Sequence, residues 1–252
     1  MQGKSKGIVA YAVNTPTVDY VGIAKSTLEL ASQQLQVPYT LITPDNPVDW
    51  SNYRIDVDTH TSVPWNNFNR YMCYEHSPYD QTIVIDIDYL VLTNKLSVLF
   101  SLDKDFVLCH TNDCLYKPNR YLREIAPVWA TVFYFTKSPK AQAFFTLVGK
   151  IQRNWDYYRN FFGIPERQFR NDYAFAIAEL MVNGYGDLPD TRLPWHITTV
   201  DKTPEDIQLA NDWIVIRDAD SANIIPRQDL HVMSKAWLQS DKLTQFVSGV
   251  MA

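Results

Sequence analysis

Two carboxylates one residue apart, Asp86 and Asp88, close the run Thr82-Ile83-Val84-Ile85-Asp86-Ile87-Asp88. An apolar run this short, without alternation, suits a strand buried on both faces of a mostly parallel sheet. Side chains at i and i+2 of a strand share a face, so both acids are expected to project together from its end. In open α/β sheets, ligands collect at the carboxyl ends of the strands. Two acids there repel each other unless a cation lies between them. Hard oxygen donors select Mg²⁺ or Mn²⁺, and such ions hold the phosphates of a substrate.

The acids need a scaffold. Residues 7–13 read as a strand. Val21, Ala24, Leu28, Ala31 and Leu35 recur at helical spacing, so 20–36 is an expected helix, and 37–43 a second strand. Together they make a βαβ unit. Residues 44–64 read as a loop with a short strand near 55–57, and 66–77 as a short helix carrying Arg70. Beyond the acids, Asn94 is expected to cap a helical turn reaching Phe100. Strands over 105–110 and 128–135 follow, separated by a loop at 111–127. Ser138-Pro139 supplies an N-cap and a proline at the first position of a helix. Residues 153–165 read as an aromatic-rich loop, 166–183 as a helix, 193–200 and 213–217 as strands, and 236–250 as a final helix. The expected fold is a single α/β domain over 1–252.

Composition bounds the function. A net charge of -5 over 252 residues is no general footprint for nucleic acid or an anionic membrane. Cys73, Cys109 and Cys114 are odd in number and lack C-x-x-C spacing, which suits reduced thiols. No apolar run reaches 18 residues and no signal core opens the chain, so a soluble cytoplasmic protein is expected.

Three stretches resemble the metal-dependent GT-A glycosyltransferases, and in particular glycosyltransferase family 8, to which glycogenin belongs. The first is Tyr11-Ala12-Val13-Asn14 with Asp19-Tyr20 and the helix that follows. The second is Arg70 ahead of a strand ending in D-x-D, here Asp86-Ile87-Asp88. The third is His231, followed by Lys235 and Trp237. The resemblance implies a GT-A fold in which 1–110 binds a nucleotide-diphosphate sugar, a UDP-sugar above all, and 111–252 faces the acceptor. It implies that Tyr11, Ala12 and Asn14 line the nucleotide site and that Tyr20 stacks on the base. Asp86, Asp88 and His231 would hold Mn²⁺ or Mg²⁺, with Ile87 between the acids. Arg70 and Lys235 would support the donor's diphosphate. Asp172 is similar in place to an acidic residue beside donor sugar and acceptor. The segment Trp129-Ala130-Thr131-Val132 stands where the family has N-x-G-V. Transfer with retention is implied, the leaving phosphate taking the acceptor's proton.

Each signal has a plainer alternative: a solvated acid pair at a strand end, a core histidine, a surface lysine or arginine, and for Asp172 a partner of its helix dipole. Two other functions fit parts of the pattern. One is a Mg²⁺-dependent phosphohydrolase of the haloacid dehalogenase type with Asp86 as nucleophile. The other is a nucleotide- or sugar-binding module without turnover. The second half carries Trp129, Trp155, Tyr157, Tyr158, Phe161 and Phe162 with Arg153, Arg159, Arg167 and Arg170 among them. Such a mixture can grip a glycan, and also bases and phosphates. The acceptor is thus open among a glycan, a protein side chain, a metabolite and a modified base in DNA.

Overall fold

The computed structural model describes residues 4–43, 70–110, 128–185, 192–200, 203–210 and 212–251. In chain order its elements are β1 (Lys6–Tyr11), α1 (Tyr20–Leu35), β2 (Tyr39–Ile42), a 3₁₀ turn Arg70–Met72 running into α2 (Cys73–His76), and β3 (Gln81–Ile85). Then come β4 (Tyr89–Leu90), a 3₁₀ helix Lys95–Ser101, β5 (Phe106–His110) and β6 (Val128–Thr136). Helices α3 (Pro139–Arg153), α4 (Trp155–Phe161) and α5 (Asn171–Val182) follow. The remainder is β7 (Thr198–Val200), β8 (Asp206–Ala210), β9 (Trp213–Arg217), β10 (Ala222–Pro226), β11 (Leu230–Val232), α6 (Lys235–Leu238) and α7 (Asp241–Met251).

The central sheet has the order β2-β1-β3-β6-β5. Strands β2, β1, β3 and β5 point one way and β6 the other. The expected mostly parallel sheet is therefore present. Every residue of β3 is buried, as its unbroken apolar run requires. Alternate residues of β1 serve two cores: Ile8 and Ala10 face one with α1, while Val9 faces the other. That second core stacks Phe144, Phe145 and Phe175 of α3 and α5 on Phe133 and Phe135 of β6. Ser138 caps α3 by accepting the Ala141 N–H, with Pro139 at the first position, as read from the sequence.

Several boundaries differ from expectation. Strand β3 stops at Ile85, so Asp86 and Asp88 lie in the turn beyond it and not at i and i+2 of a strand. The loop expected at 153–165 contains α4. The helix expected from 166 starts at Asn171, because the Arg167 carbonyl accepts the Trp155 indole N–H at 2.9 Å and Phe169 packs edge-on against that indole. The final helix is two: Ser240 Oγ donates to the Trp237 carbonyl at the break. Strands β8, β10 and β11 carried no sequence signal, and β8-β9-β10 form an antiparallel meander. The expected loop at 44–64, the strand near 55–57, the start of the 66–77 helix, the loop at 111–127 and Cys114 lie outside the described residues. Cys73 and Cys109 are buried thiols in no disulfide. No helix among the described residues is long and apolar enough to cross a membrane.

Candidate functional site

The turn after β3 moves the chain from one sheet to another. Asp86 N–H still bonds to the Thr131 carbonyl of β6 at 2.8 Å, and Tyr89 N–H closes the turn on the Asp86 carbonyl at 3.0 Å. Tyr89 and Leu90 then pair with β11, which sets His231 opposite Tyr89. The Val232 N–H donates to the Asp88 carbonyl at 2.8 Å. This short pairing brings a residue 143 positions downstream (231 minus 88) to the acid pair. His231 thus sits on a strand, the central residue of β11.

Asp86, Asp88 and His231 each offer a ligand atom, all within 4.8 Å of one another. His231 Nε2 lies 3.3 Å from Asp88 Oδ1. That is ion-pair range, but the ring N–H is not aimed at the oxygen, and buried Asp88 Oδ1 accepts no aligned hydrogen bond among the described residues. The ring is only 4% exposed and meets Trp129 at 4.7 Å between centroids, edge to face. Lys235 sits four residues past His231, in the next element. It opens α6, which Ser234 caps, and its ammonium bonds to Asp88 Oδ2. Burial pushes the Asp88 carboxyl up, but His231 and Lys235 outweigh it and hold it well below the usual carboxylate range.

Arg70 clasps the other acid. Its Nη2 pairs with Asp86 Oδ1 and its Nη1 donates to the Ala130 carbonyl at 2.6 Å. Burial presses the guanidinium below its ordinary value and Asp172 pulls it back; the group stays charged in either case. Asp172, in the first turn of α5, accepts the Ala130 N–H at 2.9 Å. Its carboxylate thus supports the strand beside the acids.

Tyr11, Ala12, Val13, Tyr20, Arg70, Asp86, Ile87, Asp88 and Lys235 line one cleft. Three residues that the resemblance pointed to are outside this lining: Asp172, His231 and, on the nucleotide side, Asn14. Asn14 is exposed, and its side chain accepts the Val21 N–H at 2.8 Å to hold the start of α1. Tyr11 ends β1 and its hydroxyl is 3.1 Å from His76 Nδ1. Tyr20 is the first residue of α1, behind the Asp19 cap. Val13 was not foreseen; it lines the cleft between two residues that were. The carbonyls of Ala130 and Thr131, which fix Arg70 and Asp86, were not foreseen either, since backbone acceptors have no sequence signature. Trp155 and Tyr158, read as gripping aromatics, are core residues; Tyr157 and Phe161 are exposed.

The donor set of two carboxylates and an imidazole suits Mn²⁺ or Mg²⁺. A buried carboxylate oxygen without an aligned donor, facing an imidazole nitrogen, fits such an ion. The chain matches no known protein-family model and no curated protein. Among solved structures it is similar to the galactosyltransferase LgtC in complex with donor and acceptor sugar analogues, with a TM-score of 0.54 and 11% identity over 98% of this chain and 96% of that one. The chain has the GT-A fold. At that identity the likeness speaks for the fold alone. Two other solved glycosyltransferases are more distant in shape. One is apo-form GlyE of Streptococcus pneumoniae TIGR4, with a TM-score of 0.43 and 16% identity over 76% of this chain. The chain spans 45% of the length of that structure. The other, involved in glycosylation of the major capsid of PBCV-1, has a TM-score of 0.42 and 11% identity over 98% of both chains. In the GT-A frame, the acids lie past the end of β3, where the sheet delivers them to the cleft.

Proposed function

We propose that this protein moves a sugar from a nucleotide-diphosphate sugar, a UDP-sugar first of all, to an acceptor hydroxyl. The observation that carries the reading is the convergence of Asp86, Asp88 and His231 in a GT-A fold, with the acids on the wall of a cleft that runs back to Tyr20. LgtC, of the same fold, was crystallised with donor and acceptor sugar analogues, which supports transposing the same ligand class. A divalent cation held by Asp86, Asp88 and His231 would act as a Lewis acid on the departing diphosphate.

The chain's own residues do the rest. Tyr20 offers its ring to the base, and Tyr11, Ala12 and Ile87 shape the nucleotide's bed, while Asn14 holds the start of α1 behind Tyr20. Lys235 and Arg70 present fixed positive charge to the diphosphate in a partly dry site, where it acts at short range. Asp172, through Ala130, holds the strand against which the sugar lies. The acceptor hydroxyl attacks the anomeric carbon as the sugar–phosphate bond breaks. The bonding pair leaves on the phosphate oxygen, which takes the acceptor's proton. No strong protein base is needed, and attack on the face that the phosphate leaves gives retention. In this reading residues 1–110 serve the nucleotide and 111–252 the acceptor, with His231 and Lys235 reaching back across.

The test is calorimetry and thermal melting with UDP and UDP-sugars, with and without Mn²⁺. We expect Mn²⁺-dependent binding that Asp86→Ala and Asp88→Ala abolish, followed by turnover once an acceptor is supplied. Binding that ignores both variants refutes the reading. A covalent phosphate trapped on Asp86 would point to a phosphohydrolase instead. Binding with no turnover on any acceptor would leave a binding module.

A further inference from the structure

We propose that Thr199 is a positioning residue of the candidate metal centre: its hydroxyl accepts the hydrogen bond of His231 Nδ1–H and so aims Nε2 at the cation. The inference rests on the metal-dependent reading above and adds to it a residue that no motif marks. Its first support is a group of orphaned atoms. Buried polar groups are nearly always paired, and each exception asks for a cause. Asp88 Oδ1, His231 Nδ1 and Thr199 Oγ1 are all buried without a hydrogen-bond partner among the described residues. A cation between the acids and the imidazole explains the first. It does not explain the other two, because a ring that binds through Nε2 leaves Nδ1 free.

The second support is the ladder. Strand β11 lies between β4 and β7. The parallel β7–β11 register sets Thr199 directly opposite His231. Register partners project from the same face, and adjacent strands lie about 4.8 Å apart, so a threonine hydroxyl can reach the ring across the ladder. The neighbour on the other side is Tyr89, whose hydroxyl is drawn to Asp229 Oδ2 at 3.5 Å. Trp129, edge-on to the imidazole, has an indole N–H but no acceptor. Thr199 is left. The chemistry then has one direction. An imidazole that binds a metal through one nitrogen carries its proton on the other, and the partner of that N–H fixes tautomer and ring orientation. Here Nε2 faces Asp88 Oδ1, at 3.3 Å, so Nδ1 is the nitrogen that donates. A hydroxyl oxygen has lone pairs to accept it. Valine at 199 would fill nearly the same volume and suit a strand as well, yet it would leave the Nδ1–H buried and unpaired.

The experiment measures the affinity of the full chain for Mn²⁺ alone, without nucleotide, from the loss of the free ion's electron paramagnetic resonance signal. The proteins are wild type, Thr199→Val and Thr199→Ser, each first melted without metal to show that it is folded. We expect Thr199→Val to weaken Mn²⁺ binding by about tenfold or more, and Thr199→Ser, which keeps the hydroxyl, by less than about threefold. Should Thr199→Val not fold, Thr199→Ala against Thr199→Ser makes the same comparison. Equal weakening in the variants with and without the hydroxyl would mean that the side chain only packs against the ring, and would overturn the inference. So would full Mn²⁺ affinity in Thr199→Val. In both cases a wild type that binds Mn²⁺ leaves the metal-dependent reading standing. A wild type that binds no Mn²⁺ at millimolar concentration removes that reading, and the inference with it.

Discussion

Arg70 is a polar side chain whose loss the fold should feel. It lies between the turn after β3 and the bulge of β6, where the pairing with β5 shifts register, bonded to Asp86 and to the Ala130 carbonyl. The Arg70 side chain is 11% exposed and that of Asp86 26%. Hydrogen bonds that involve a charged group contribute about 1.5–3 kcal/mol each when buried. Taking the Ala130 bond near the middle of that range, and the Asp86 bond at its lower end because water reaches it, gives a total of about 3 kcal/mol for Arg70→Ala. Arg70→Lys keeps the charge but gives up the two-pronged geometry, so about half the loss is expected.

The assay is urea unfolding followed by tryptophan fluorescence, in chelator, so that bound metal does not contribute. With a slope of about 3 kcal/mol per molar urea, Arg70→Ala should lower the midpoint by about 1 M. A double-mutant cycle with Asp86→Asn isolates the pair: the two losses should fall short of additivity by about 1 kcal/mol. A midpoint shift under about 0.2 M would refute the claim that Arg70 ties the turn to the sheet. Strict additivity would refute the coupling to Asp86.

Two further predictions use other parts of the structure. Burial holds the His76 pKa below its usual value of about 6.5, against the pull of Glu75. The unfolded chain therefore binds the extra proton first, and stability falls as pH drops below about 6.5, at no more than about 1.4 kcal/mol per pH unit. His76→Gln should remove that part of the slope in urea midpoints taken from pH 7 to 5; an unchanged slope would show that the proton goes elsewhere. Gly7 and Gly249 should respond oppositely to alanine. A Cβ on Gly7 would stand 2.3 Å from the Tyr79 ring, which its hydroxyl holds to Thr40 at 3.0 Å. Gly7→Ala should therefore cost about 1–3 kcal/mol. Gly249 lies in α7 with nothing within 4 Å of an added Cβ, so Gly249→Ala should gain about 0.5–1 kcal/mol. Melting curves that move the same way for both would contradict the packing described.

What the sequence disclosed, and what it withheld, follows from the range over which each signal acts. The strands that build the sheet on the nucleotide side are unbroken apolar runs, and α1 carries its own periodicity, so β1, α1, β2 and β3 were legible. The α3 cap was legible too, because Ser138 and Pro139 act on the backbone beside them. Aromatic residues hid α4, since its seven residues hold two tyrosines, a tryptophan and a phenylalanine, whose helix propensity is modest. The site itself was half legible. Asp86 and Asp88 announced themselves by type and spacing, but strand geometry is not what brings them together. A strand places i and i+2 on one face, but these two acids converge from a turn. Arg70 and the bulge of β6 fix one, while Lys235 and β11 fix the other. Strand β11 has three residues, too few for any period to register, so nothing local in Leu230-His231-Val232 tells where the imidazole goes. Its destination is set by pairing with Tyr89, the residue after the second acid. The pair of acids and the histidine are thus joined by the backbone ladder as well as by any ion they share, which is why their convergence is a property of the fold and can be disturbed from β4 or β11 without touching a ligand.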